Sequence, residues 1–173
     1  MTTQPFEILL VEDNLDHAEL VMRSLEDHPM VNTVRHLCDG EAALDYLFRR
    51  GAYHDPRQCP RPHVILLDLR LPKIDGLDVL KEIRTAHDLN AIPVVILSTS
   101  SAESDIGCAY ERHANSYLVK PNDFRTFDEL IHDLGTYWLG WNHDQGRNFR
   151  KLSTGTAREA WKGHRSDGPT ESP

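Results

Sequence analysis

Apolar residues follow two rhythms along this chain. Ile8-Leu9-Leu10-Val11, Val64-Ile65-Leu66-Leu67 and Val94-Val95-Ile96-Leu97 are unbroken apolar runs. Such runs suit strands covered on both faces. Shorter stretches at 33–37 and 116–119 complete a set of five expected strands. Between them the rhythm changes to steps of three and four. Ala18, Val21, Met22 and Leu25 share one face of a helix expected over about 15–27, with Asn14 as its cap. Asp39-Gly40 opens a second helix to about Arg50. Asp75 caps a third over about 76–86. Ser100 and Glu103 have capping-box spacing and open a fourth to about 113. The last runs from Asp123 to about Leu139, with a stripe of Phe124, Phe127, Ile131, Leu134 and Trp138. Residues 51–62, with a glycine and three prolines, read as a loop.

Strictly alternating strands and helices predict an α/β fold: a (βα)5 doubly wound parallel sheet with helices on both faces. Right-handed crossovers leave few topologies, and the flavodoxin-like order 2-1-3-4-5 is one of the two common ones. That order makes strands 1 and 3 neighbours at the switch point, where ligands bind beyond the carboxyl ends of the strands.

The residues just beyond each strand then carry the chemistry. The first strand delivers Glu12 and Asp13, the third Asp68, the fourth Ser98 and the fifth Lys120. Three carboxylates, a hydroxyl and an amine are expected on one edge. Clustered carboxylates repel one another unless a cation lies among them. An all-oxygen set suits Mg²⁺. One carboxylate can then act as a nucleophile toward phosphorus, with Lys120 and Ser98 neutralising the transferring group's oxygens. As a turn or cap residue alone, each acid would be ordinary, and that reading is preferred for Asn14 and Asp75. It does not explain Asp13 and Asp68 together, each placed directly beyond an apolar strand.

Composition narrows the picture. The chain has 173 residues and a formal charge of −8, which argues against holding nucleic acid by bulk electrostatics. Residues 141–173 carry six Lys/Arg against four Asp/Glu, so this tail is mildly basic and the preceding body strongly acidic. The tail is rich in Gly, Ser and Thr and is expected to be largely disordered. No apolar run approaches the ~20 residues of a membrane span, and no secretory signal is visible at the N-terminus. Three cysteines far apart in sequence suit a reducing, cytoplasmic location.

The segments Leu10-Val11-Glu12-Asp13-Asn14, Leu66-Leu67-Asp68-Leu69-Arg70-Leu71-Pro72-Lys73-Ile74-Asp75-Gly76, Ile96-Leu97-Ser98-Thr99-Ser100 and Tyr117-Leu118-Val119-Lys120-Pro121 occur in this order and spacing. In them the chain resembles the receiver domain of two-component response regulators, over about residues 5–138. The resemblance implies that Asp68 accepts a phosphoryl group from a sensor histidine kinase. It implies that Asp13 binds Mg²⁺ directly, that Glu12 acts mainly through water, and that Arg70 offers its backbone carbonyl. It makes Ser98 the switch hydroxyl, Lys120 the phosphate-contacting amine and Tyr117 the rotating aromatic. Glu12, Ser98 and Asn122 depart mildly from the usual Asp, Thr and Phe. Arg70 and Ser100 occupy positions that tune dephosphorylation in the family.

Tyr46-Leu47-Phe48-Arg49-Arg50-Gly51-Ala52-Tyr53, the long loop before the third strand, and Tyr137-Trp138-Leu139 near the end look like the single-domain regulators that partner phytochrome-type kinases. The expected domain is 5–140, followed by the tail, with no DNA-binding output. A homodimer is expected through the last helix, the fifth strand and the start of the tail, because Leu130, Tyr137, Leu139 and Trp141 cannot all share the inward stripe at 3.6 residues per turn. Two other functions are open to such a fold. A phosphoaspartate hydrolase of the haloacid-dehalogenase type needs an acid two residues after its nucleophile, where this chain has Arg70. A flavin or nucleotide binder needs a first loop that welcomes phosphate, where this chain has Glu12-Asp13-Asn14-Leu15-Asp16.

Overall fold

A computed structural model describes residues 5–30 and 32–140, together with the backbone of Trp141. The tail expected over 141–173 therefore lies almost wholly outside the described residues. Five strands, β1 (Phe6–Val11), β2 (Asn32–Leu37), β3 (Val64–Leu67), β4 (Val94–Ser98) and β5 (Ser116–Val119), form one parallel sheet in the order β2-β1-β3-β4-β5. The helices are α1 (Leu15–Glu26), α2 (Gly40–Leu47), α3 (Gly76–Thr85), α4 (Glu103–Glu111) and α5 (Phe124–Gly135).

Alternation along each strand divides the core in two. Leu9, Val11, Ile65, Leu67 and Ile96 pack with Leu44, Leu47, Val79, Leu80, Ile83 and Ala109, the inward stripes of α2, α3 and α4. Ile8, Leu10, Leu66, Val95 and Leu97 point the other way, to Val21, Leu25, Phe127 and Ile131 of α1 and α5. Central β3 is buried at all four positions, which is why its sequence shows no polar alternation. Edge strand β2, Asn-Thr-Val-Arg-His-Leu, does alternate in exposure.

Helix starts follow local chemistry. Asn14 accepts from the backbone N–H groups of Asp16 and His17, Asp39 from Ala42, Asp75 from Leu77 and Asp123 from Thr126. The fourth helix differs from expectation. Its cap is Ala102, with no side-chain bond, and Ser100 pairs with Asp105 rather than boxing with Glu103. The second helix ends at Leu47, and Arg49 just beyond it has a positive φ of 56°.

The end of α5 also departs from a regular helix. Phe127, Ile131 and Trp138 face inward as expected, but Phe124, the first residue of the helix, is 67 % exposed. Thr136–Trp141 is a π-helical turn. Its wider i→i+5 spacing turns both Trp138 and Leu139 inward, and Leu139 is 0 % exposed. The apolar edge expected from α-helical periodicity thus loses Leu139. Tyr137 stays exposed and Leu130 packs partly against the core.

The long loop before β3 is packed. Tyr46 donates to the Pro60 carbonyl at 2.8 Å, Arg61 bonds the Leu47 carbonyl, and Cys59 is buried. Among the described residues no helix is long and apolar enough to cross a membrane.

Candidate functional site

All five expected side chains are delivered to the carboxyl edge of the sheet. Parallel pairing sets Val11 of β1 beside Leu37 of β2 and Leu67 of β3, so Glu12 and Asp68 leave the sheet side by side. Backbone bonds fix the exits: Glu12 N–H donates to Leu37 O, Asp68 N–H to Val11 O and Lys120 N–H to Ser98 O. Ser98 ends β4 and is fully buried.

Lys120 is the centre of the arrangement. Its ammonium donates to Asp68 Oδ2 at 2.7 Å and to Glu12 Oε2. It is 3 % exposed and Glu12 is 1 % exposed. Burying such charges is costly unless they are paired and their remaining hydrogen-bond positions filled. Here Asn14 N–H donates to Glu12 Oε1 at 3.1 Å and Arg70 N–H to Asp68 Oδ1 at 3.2 Å. Burial pushes the Glu12 carboxyl above the ordinary range, and the adjacent Lys120 ammonium offsets part of that rise. One cation among three carboxylates leaves the cluster net negative.

Ligand oxygens of Glu12, Asp13 and Asp68 lie within 4.8 Å of one another. Asp13 is the exposed member, so the group opens to solvent on one side. Carboxylates without His or Cys form a hard donor set, suited to Mg²⁺ or Mn²⁺.

Gly76 holds the frame behind the acid. A Cβ there would come within 2.1 Å of the Asp68 carbonyl oxygen, so only glycine lets α3 begin against the Asp68 backbone. Tyr117 is half-buried, and its hydroxyl donates to the Ser100 carbonyl at 2.8 Å. Ser98 Oγ accepts from Ser100 N–H at 3.3 Å.

Two participants were not apparent from the sequence. His17, in the first turn of α1, places Nδ1 3.4 Å from the Lys120 ammonium and 3.7 Å from Glu12 Oε1, with its ring edge-on to Phe127. Its position five residues after Glu12 is the only sequence signal, and it is not distinctive. Asp105 accepts from Ser100 Oγ at 2.6 Å and from Arg70 Nη2 at 2.8 Å. These bonds, the Ser100 hydroxyl foremost, hold the Asp105 carboxyl below its ordinary range.

The chain is similar to known proteins. The probable methanogenesis regulatory protein FilR2 of Methanothrix harundinacea is 46% identical over 142 residues, 82% of this chain and 89% of that protein. Response regulator Rcp1 of Synechocystis is 41% identical over 135 residues, 78% and 90% of the two chains. Its Mn²⁺-bound crystal structure superposes with a TM-score of 0.76 at 40% identity, covering 80% of this chain and 98% of that one. The phosphorylated cyanobacterial phytochrome response regulator RcpA superposes with a TM-score of 0.77 at 36% identity, covering 81% and 98%. The response regulator receiver domain family matches residues 8–132, a span that contains every strand from Ile8 onward and all the pocket residues. The chain therefore belongs to that family: it is a receiver-domain signalling protein.

Proposed function

We propose that Asp68 accepts the phosphoryl group and that the Glu12–Asp13–Asp68 cluster holds the divalent cation that the reaction requires, Mg²⁺ under ordinary conditions. The observation that carries this reading is Lys120, buried and bonded to both Asp68 and Glu12. A resting pocket that already stores one cation against the acceptor is suited to an incoming dianion.

In the transfer, an Asp68 carboxylate oxygen attacks phosphorus. A P–O bond forms while the P–N bond to the kinase histidine breaks, and the leaving imidazole nitrogen keeps the electron pair and is protonated. A bound Mg²⁺ supplies charge neutralisation at the phosphoryl oxygens. Lys120 contributes the same neutralisation by exchanging carboxylate partners for phosphoryl oxygens. Asp13, the exposed acid, would bind the metal directly, with Glu12 acting mainly through water and Arg70 offering its backbone carbonyl. Ser98 is the hydroxyl that reports the phosphoryl group, and Tyr117 follows it. The same machinery supports self-phosphorylation from small donors and self-dephosphorylation.

The partner proposed is a sensor histidine kinase of the phytochrome type. Support comes from the long loop before β3, from Tyr137-Trp138-Leu139 and from the likeness to RcpA. The output proposed is a protein-interaction surface on a domain spanning 5–140. Exposed Val119, Phe124 and Tyr137 on β5, α5 and the turn after it support homodimerisation there.

Acetyl phosphate with Mg²⁺, read by intact mass, tests the central claim. One phosphoryl group on the wild type and none on Asp68→Asn is expected. Equal uptake by both would assign the acceptor elsewhere. Phosphotransfer from a phytochrome kinase and from an unrelated histidine kinase, compared by initial rate, tests the partner.

A further inference from the structure

Arg49 stands where a helix end ordinarily places a glycine. It follows Phe48, the C-cap of α2, and its φ of 56° is left-handed. Its N–H donates to Tyr46 O at 3.2 Å, and the Arg50 N–H donates to Asp45 O at 2.8 Å. That pair of bonds closes a helix through a left-handed residue. Glycine takes the conformation freely, whereas a long side chain adds a steric penalty. The side chain held there has no partner. Arg49 Nε is shut off from solvent without an acceptor, and the guanidinium makes no hydrogen bond or ion pair among the described residues.

Its charged neighbour is a second guanidinium. Arg61 bonds the Leu47 carbonyl and, at 3.2 Å, Asp88 Oδ2. Burial first, and the like charge of Arg49 next, hold the Arg61 guanidinium below its ordinary pKa. Arg50 is exposed and lies over the Phe48 ring at 4.7 Å, bonded to no carboxylate among the described residues. Residues 47–63 carry four Arg against one Asp, in a chain of formal charge −8. The helix end does not account for this cluster. Cations favour a helix C-terminus, but Arg61 already covers the Leu47 carbonyl, and the Arg49 side chain bonds none of the last carbonyls. Asp88, 76 % exposed, is a loose surface partner that serves Arg61 alone.

We propose that Arg49 and Arg61 form a binding site for a phosphate-class dianion at the amino edge of the sheet. Arg61 precedes the start of β3 at Val64, whereas Asp68 follows its end, so this site is separate from the acceptor pocket. Each guanidinium is a planar fork of donors shaped for carboxylate or phosphate oxygens. A carboxylate neutralises one such fork. A phosphate dianion neutralises both and has oxygens for both. On entry it replaces a repulsion between like charges by two attractions, and the Arg49 fork turns toward it, bringing the orphaned Nε–H its acceptor. The strained position is thus held by arginine for the ligand and not for the fold. Free phosphate and a phosphate monoester share the chemistry the site recognises.

The test uses the full chain in EDTA, so that no metal draws phosphate to the carboxylate cluster. Inorganic phosphate is titrated by calorimetry and by thermal melts, with sodium chloride keeping ionic strength constant. Saturated wild type is expected to melt at least about 2 °C higher than phosphate-free wild type. Arg49→Gly is expected to bind phosphate at least about ten-fold more weakly. Without phosphate it is expected to melt no lower than wild type, because it removes the left-handed strain, the orphaned donor and the repulsion together. Arg49→Lys keeps the charge but not the fork and is expected to recover less than half of the phosphate-dependent rise. Glycerol 3-phosphate, titrated in parallel, separates the sources: tighter binding than inorganic phosphate assigns an esterified phosphate, weaker binding the free ion. No response in wild type, an equal response in Arg49→Gly, or a response that acetate reproduces at the same ionic strength overturns the proposal. So does an Arg49→Gly chain that melts below wild type in phosphate-free buffer, since the side chain would then serve the fold.

Discussion

Two cations lie at opposite edges of this sheet, and they are held in opposite ways. Lys120, at the carboxyl edge, is bonded to two carboxylates. Arg84, at the end of α3 near the amino edge, is bonded to neutral oxygens throughout. Its Nε donates to His113 O, its Nη1 to Asn90 O and Ile92 O, and its Nη2 to Asn115 Oδ1, at 2.8 to 3.0 Å. Asn115 Oδ1 also accepts from Val94 N–H, so the Arg84 fork fixes both the start of β4 and the turn into β5. Carbonyls of the backbone cannot leave or gain charge. Arg84 is therefore a joint. Carboxylates can exchange one cation for another, so Lys120 is poised for partner exchange. A rigid planar fork suits the first task and a single flexible ammonium the second.

The sharpest way to break this contrast is Lys120→Met. It leaves Glu12 and Asp68 buried without their cation, at a cost of about 3–5 kcal/mol in stability. Mg²⁺ should return part of that loss, because it replaces the missing positive charge. A melting temperature that falls and does not respond to Mg²⁺ would make Lys120 as purely structural as Arg84.

Arg84→Ala should cost about 2–3 kcal/mol by urea unfolding, since several carbonyls lose a charged donor. Arg84→Lys should recover little of it, because one ammonium cannot reach four acceptors. Neither variant should alter phosphoryl uptake. A change in uptake would show that the joint also belongs to the switch.

Asp13→Asn should weaken Mg²⁺ binding at least about ten-fold while leaving metal-free stability equal or slightly higher, because it thins a cluster of like charges. Isothermal titration and a thermal melt read the two effects separately.

The smallest effect belongs to a carboxylate outside the pocket. Asp39 caps α2, and the Ala42 N–H above all, with Lys73 assisting, holds its pKa below the ordinary value. A depressed folded pKa contributes stability that is present above the unfolded value near 3.8 and is lost as pH falls through the folded value. Asp39→Ala should therefore cost about 1 kcal/mol at neutral pH, and the gap to wild type should close in acid. A gap independent of pH would mean that the cap acts by shape and not by charge.

What the sequence makes legible depends on range. Asn14, Asp39, Asp75 and Asp123 each bond backbone within three residues, so spacing alone reveals them. Glu12, Asp68, Ser98 and Lys120 are far apart in the chain, yet each lies at the carboxyl end of an apolar strand, and parallel strands bring such ends together. Arg84, His17 and Asp105 act on partners with no fixed sequence offset, and no pattern marks them. Ser100 misleads for a related reason. Its spacing to Glu103 fits a capping box, but Asp105 offers a carboxylate that Arg70 also stabilises, and the charged acceptor wins. Leu139 misleads because periodicity presumes an α-helix, and the chain widens to π geometry at Thr136. Phe124 misleads because a helical stripe does not say how much of the first turn is covered, and this first residue of α5 stays exposed.

Gly76 gives the domain a mechanical polarity. A single missing methyl group lets α3 rest directly on the peptide of the acceptor residue, where a Cβ would overlap the Asp68 carbonyl. That contact is stiff. It leaves no slack through which a change at Asp68 could be absorbed on the α3 side. Across the pocket, α4 starts without a side-chain cap and is tethered by one carboxylate. One flank is thus in direct backbone contact with Asp68, and the other is joined to the pocket by side chains that can change partners. On the proposed function, a change at Asp68 would be felt at α4 before α3.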